Sequence, residues 1–136
     1  MQLLTILAAD YANVAEGGKL NVMGIFTDIY APTFPVIHPS MFLVVKLSPD
    51  FPEYGQQRKL TIALVDEDGK LEIAKITGDI AVPMPVGGHK PEINLTVELK
   101  GIVFPKPGRY QFTVLVDKDF KGSHSIEVQQ ASGAKE

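Results

Sequence analysis

Between Ile93 and Lys100 the chain alternates without a break, with Ile93, Leu95, Val97 and Leu99 on one side and Asn94, Thr96, Glu98 and Lys100 on the other. A period of two residues belongs to a β-strand that buries one face and solvates the other, and it cannot be laid on a helix. The same period returns after Gly108, where Tyr110, Phe112, Val114 and Val116 oppose Gln111, Thr113 and Asp117. It returns once more with Ile126 and Val128 against Glu127 and Gln129. Asp117–Gly122 joins these last two runs as a turn-rich connection of hairpin length, so the chain is predicted to end on a hairpin.

Upstream, Leu60, Ile62 and Leu64 alternate before Asp66-Glu67-Asp68-Gly69, whose Asp-Gly pair suits the positive φ angles of a hairpin turn. The following run from Leu71 breaks phase. Leu71 and Ile73 share one face while Ile76, Ile80 and Val82 share the other, which a bulge reconciles; a short helix over Leu71–Thr77 is the rival reading. Further strands are expected near Leu3–Ala9, Lys19–Tyr30 and Met41–Leu47, the second interrupted at Gly24, which makes about eight in all. No segment carries helical spacing over a helical length. The expectation is an all-β chain, an antiparallel two-sheet sandwich, in one domain over residues 1–130 with a disordered tail at 131–136. Pro107-Gly108-Arg109-Tyr110 points to the immunoglobulin-like version. It places a tyrosine at the start of the penultimate strand, where such folds bury a ring and bond its hydroxyl to nearby backbone.

Composition narrows the function classes. The 136 residues are 45% hydrophobic and 21% charged, within the globular range. The absence of cysteine excludes a disulfide framework, thiol catalysis and thiolate zinc sites, and it suits a reducing compartment, so a cytoplasmic protein is expected. The apolar stretch Met1–Ala9 lacks a preceding Lys or Arg and reads as the first strand rather than a signal peptide. No apolar run approaches the roughly 20 residues that span a bilayer, which argues against a membrane partner. A net charge of −3 without any basic concentration argues against nucleic acid.

The segment Ala9-Asp10-Tyr11-Ala12-Asn13-Val14, then Gly18-Lys19-Leu20-Asn21 and Gly24, resembles the opening of an uncharacterised family of short bacterial β-sandwich proteins. A Phe-Pro loop, here Phe34-Pro35, and a Pro-Gly-Arg-Tyr-x-Phe segment, here Pro107–Phe112, extend the resemblance over most of the chain. It implies a small β-rich bacterial domain of unknown function and assigns no activity, cofactor or catalytic residue.

Neither a nucleophile elbow nor a phosphate-binding glycine loop is present, so an enzyme is the least supported class. The histidines His38, His89 and His124 are scattered without ligand spacing, and no metal or cofactor is assigned. The sequon Asn94-Leu95-Thr96 falls in a strand and is discounted as a glycosylation site. If every strand reverses on its predecessor, the loops near Asp10–Gly18, Ser48–Gln56, Pro83–Lys90 and Lys118–Gly122 share one end of the sandwich. That end would gather Asp10, Glu16, Asp50, Glu53 and Asp119 with Tyr11, Tyr54 and His89. The expectation is a binding module for an unknown protein or small molecule, its site centred on Asp10, Tyr11, Glu16 and Tyr54. Two alternatives stand beside it: a self-associating structural subunit, since sheet edges invite pairing, and a calcium-binding sandwich using the loop carboxylates.

Overall fold

In the computed structural model, which describes residues 1–131, the alternating segments become nine strands in two sheets. They are β1 (Gln2–Val14), β2 (Leu20–Phe26), β3 (Asp28–Ala31), β4 (Val36–Ser48), β5 (Gln57–Asp66), β6 (Glu72–Ala81), β7 (Ile93–Phe104), β8 (Gly108–Val116) and β9 (Asp119–Gln130), with one 3-10 turn at Phe51–Glu53. One sheet has the order β2-β1-β4-β7 and the other β3-β9-β8-β5-β6. Of the predicted tail, Ala131 is held by its backbone N–H on the Ala31 carbonyl at 2.8 Å, and residues 132–136 lie outside those described.

The core lies between the sheets and is built from the alternating positions. Met41, Leu43, Val45 and Leu47 of β4 face Ile62 and Leu64 of β5, Phe112 and Val114 of β8, and Ile126 and Val128 of β9. Each fully buried side chain of this size contributes about 1.5–3 kcal/mol of transfer free energy. Tyr110 is 1% exposed, and its hydroxyl donates to the Lys106 carbonyl at 2.6 Å across the link between the sheets, as the sequence predicts. The ring meets Phe104 edge-on at 5.0 Å.

Three local expectations need correction. The segment Lys19–Tyr30 is two strands, because the chain leaves one sheet and enters the other at Thr27, whose carbonyl accepts from the Glu127 N–H at 2.8 Å. The sandwich is consequently not wholly antiparallel: β3 keeps the heading of β2 across the gap and runs parallel to β9, from Asp28↔Glu127 to Ala31↔Gln130. The alternation of β7 also continues past Lys100 in the opposite phase. Gly101 at φ 63° turns the strand over, so Ile102 and Phe104 point inward where Leu99 did. The bulge expected after Leu71 is present, since Leu64 faces Ala74 and Val65 faces Glu72, leaving Ile73 as the extra residue; the rival helix is absent.

The first hairpin departs furthest from expectation. β1 pairs with β4 from Gln2↔Ser48 to Ala9↔Phe42 and with β2 from Ala8↔Phe26 to Val14↔Leu20. Carried straight on, the run from Thr5 to Val14 would span about 30 Å. The tip nevertheless returns to the level of Thr5. Asn94, which faces Lys46 and through it Thr5, donates from Nδ2 to the Gly18 carbonyl at 2.7 Å. The hairpin therefore folds over the outer face of its own sheet as an arm. The bend falls at Asp10 and Gly24, which face one another between the pairs Ala9↔Ile25 and Tyr11↔Met23. Gly24 sits at φ 71°, and any Cβ there would run into the Asp10 carboxylate. Beneath the arm, Val44 is 1% exposed although it points away from the main core, Ala12 is 2% exposed, and the Tyr11 ring meets Phe42 edge-on at 5.1 Å.

Candidate functional site

Where β1 bends away, β4 runs on beyond Phe42 with β7 as its partner on one side, and the crossing at Thr27 leaves the seam between the sheets open. A crevice of about 230 Å³ forms there, lined by Asp10 of β1, Phe26 of β2, Asp28, Ile29 and Tyr30 of β3, and His38 of β4. Both sheets contribute to it. Its position follows from two local choices of the sequence, the glycine that lets the arm fold and the polar Thr27-Asp28 pair that ends β2 and starts β3.

The polar lining is rich in acceptors. His38 Nε2 is buried without a hydrogen-bond partner among the described residues, and the ring lies 6.0 Å from that of Phe26. Burial pushes the imidazole below its ordinary pKa; the nearby Asp10 carboxylate and a hydrogen bond with the Ser40 backbone act in the opposite direction. Asp28 is fixed by Gln129 Nε2 on Oδ1 at 2.9 Å and by Thr27 Oγ1 on Oδ2 at 3.2 Å. Asp10 forms neither a hydrogen bond nor an ion pair through its side chain among the described residues. Ile25 and Ile37 are exposed on the opposite face of the strands that carry Phe26 and His38, and Tyr30 itself is 63% exposed.

The residues singled out from sequence are spread over three places. Asp10 and Tyr11 belong to β1, at the bend, and Glu16 sits exposed in the turn that follows Val14. Tyr54 is at the other end, packed against the core with its ring 5.7 Å from Phe51. The stretch of β4 from Phe42 to Ser48, about 20 Å, separates the level of Asp10 from that of Tyr54. The other three loops assigned to one end do meet. Gly55 N–H donates to the Val82 carbonyl at 3.0 Å, and Asp117 N–H to that of Lys59 at 2.8 Å. Asp50 and Glu53 are both engaged there by the Met1 amino group, at 2.7 and 2.9 Å, and Arg58 bridges to Asp117 at 3.2 Å. No group of three or more His, Cys, Asp or Glu side chains placed to hold a metal occurs among the described residues, and the histidines sit apart in β4, the β6–β7 connection and β9.

Of the crevice lining, the sequence singles out Asp10 as a binding residue and gives no such role to Phe26, Asp28, Ile29, Tyr30 or His38. The available signal was the chain break at Thr27-Asp28 in a segment apolar on both faces. Such a segment can satisfy two surfaces only by leaving one sheet for the other.

No curated protein matches the chain. The solved structure of the Pseudomonas fluorescens alkylpurine DNA glycosylase AlkC, bound to DNA containing an abasic site analog, aligns with a TM-score of 0.47 at 14% identity. The alignment covers 91% of this chain and 30% of that one, so the chain spans less than a third of that protein's length. A family model described as a family of unknown function (DUF6941) matches residues 4–129.

Proposed function

Because the chain belongs to the DUF6941 family, whose function is unknown, we propose from its geometry that it is an immunoglobulin-like binding module that receives its partner at the seam crevice. The observation that carries this reading is a hollow between the two sheets whose lining sets the unpaired Asp10 carboxylate beside Asp28, His38 and the rings of Phe26 and the exposed Tyr30. The immunoglobulin-like assignment rests on strand order. β1, β4 and β7 lie together as the A, B and E strands do in such folds, β9-β8-β5 as G-F-C, and Tyr110 occupies the tyrosine corner. A bacterial, cytoplasmic setting belongs to the same reading and rests on the sequence resemblance and the lack of cysteine.

The test is a fragment titration of the isotope-labelled protein with small aromatic, aliphatic and charged compounds. Amide shifts should collect at Phe26–Tyr30 and His38. Shifts collected around Asp50, Tyr54 and His89 would move the site to the far end.

Self-association is a second reading with its own observation. The edge strand β2 carries no charged residue and exposes Met23 and Ile25, whereas the edges β6 and β7 carry Glu72, Lys75, Asp79, Glu98 and Lys100. Sedimentation equilibrium of the protein and of Ile25→Lys decides it: a dimer that the substitution dissociates supports pairing through β2, and a monomer ends it.

A further inference from the structure

We propose that the end of the sandwich carrying the connections after β4, β6 and β8 docks on an anionic lipid surface, with Phe51, Met84, Val86 and Phe120 entering the headgroup layer. This surface is separate from the crevice, whose Asp10 lies about 20 Å away along β4. The four apolar side chains are each at least 60% exposed, and they come from three connections. Phe51 belongs to the 3-10 turn after β4, Met84 and Val86 to the connection after β6, and Phe120 to the start of β9 beside the hairpin turn. Backbone bonds tie these connections to one another: Val82 N–H donates to the Gln56 carbonyl at 2.8 Å, and Asp117 N–H to that of Lys59. The Phe51 ring stands against Tyr54, and Met84 Sδ lies 3.0 Å from where a Cβ on Gly55 would be. Scattered exposed apolar residues are ordinary, but four gathered at one end mark an interaction surface.

The charges around them identify what the surface meets. Its carboxylates are mostly spent inside the protein: Asp50 and Glu53 on the Met1 amino group, Glu53 and Asp117 on Arg58, and Glu92 on Lys46. Lys59, Lys90, Lys118 and Lys121 form no ion pair among the described residues, against Asp79 and Asp119 alone on the acidic side. Lys90 and Lys121 come from different connections, yet both help the Met1 amino group, the larger influence, to lower the Asp50 pKa. The acidic turn Asp66-Glu67-Asp68 lies at the opposite end of β5, so a negative surface attracts one end of the molecule and repels the other. A protein partner would need a shaped pocket for each of four side chains on three connections. A fluid headgroup layer receives them as they stand, while the lysine stems lie along apolar neighbours and their ammonium groups reach lipid phosphates. No helix among the described residues is long and apolar enough to cross a membrane, and lying on its surface requires none.

The test is sedimentation of the full chain with sucrose-loaded vesicles of phosphatidylcholine alone or mixed with phosphatidylglycerol. At low salt the protein should bind the anionic vesicles about tenfold more tightly than the neutral ones, and sodium chloride should release it. Phe51→Ser and Val86→Ser, at side chains outside the core, should each weaken binding about tenfold with amide shifts in β5 and β8 unaltered. A nitroxide carried on the lipid headgroup should broaden the amides of residues 51–54, 84–89 and 118–121 and leave those of Phe26–Tyr30 and His38 sharp. No sedimentation at low salt, equal binding to both kinds of vesicle, binding indifferent to the two serine variants, or broadening centred on Met23 and Ile25 overturns the proposal. Amide shifts at this end with a polyglutamate peptide, alongside vesicles that do not bind, also overturn it and transfer the surface to an acidic protein. The fragment titration tests the crevice separately, so either reading can fail without the other.

Discussion

Asn94 holds the Gly18 carbonyl from across the sheet: its Nδ2 donates at 2.7 Å to the tip of a hairpin that springs from β1, two strands away in the same sheet. This contact pins the arm over Val44. Its Oδ1 is buried without a partner, so the amide is not there to satisfy itself. Asn94→Ala should cost about 0.5–1.5 kcal/mol, the net value of a hydrogen bond. Hydrogen exchange at Val14–Leu20 should rise while exchange in β5 and β8 keeps its global protection. Unchanged exchange in the hairpin would show that burial of Ala12 and Val44 holds the arm without help.

The bend that makes the arm depends on one glycine. Gly24→Ala places a Cβ at positive φ against the Asp10 carboxylate and should destabilise by about 1–3 kcal/mol. Asp10→Ala in the same chain should recover the steric part and leave the backbone part. Urea unfolding of the two single variants and the double variant measures the coupling.

Tyr110→Phe removes the hydroxyl that Lys106 accepts and leaves the ring in place against Phe104. A loss of about 1 kcal/mol is expected. A neutral substitution in thermal unfolding would show that the ring alone secures the corner.

His38 and His124 both have pKa values lowered by burial, and His124 Nε2, like that of His38, lacks a partner. The unfolded chain then takes up protons near the ordinary value of about 6.5, before the folded one does. Stability from this source is full above that pH and is lost as pH falls from it toward the lowered folded-state values. Urea midpoints should therefore drop between pH 7.5 and 5.5, and His124→Leu should flatten the slope. Asp10→Asn removes the charge that raises the His38 pKa and should shift its NMR titration to still lower pH.

How much of this is legible in the sequence depends on how many faces a strand buries. Ile93–Leu99 and Tyr110–Val116 each bury one face, and Leu60–Leu64 does so apart from the small Ala63, so their alternation maps directly onto β7, β8 and β5. The extra residue at Ile73 is legible because a bulge shifts the phase by one. The arm is not legible, because Ala12 and Val44 are covered by a second, small apolar contact outside the main core, and that contact hides the difference between inner and outer faces. Counting loops by parity brings together the connections after β4, β6 and β8 but cannot register a hairpin that folds back on its sheet. Asp10 is legible only as a carboxylate of the loop that parity assigns to one end, whereas it lies within β1. His38 and Tyr30 became neighbours only through the change of sheet at Thr27, which turns on three-dimensional pairing with β9.

The folded arm also imposes an order of events. Its footing consists of Val44 on β4 and Asn94 on β7, which face positions near each other only once those strands have paired along Val36↔Phe104 to Leu47↔Ile93. Until then the hairpin has nothing to lie on, so its docking is expected to follow the rate-limiting barrier. Asn94→Ala and Gly24→Ala should consequently speed unfolding in a chevron experiment and leave the refolding limb unmoved, and a slowed refolding limb would place the arm in the nucleus. A hairpin that docks last is also the first to leave, and its departure exposes Val44 while the strands around Tyr110 keep their shape.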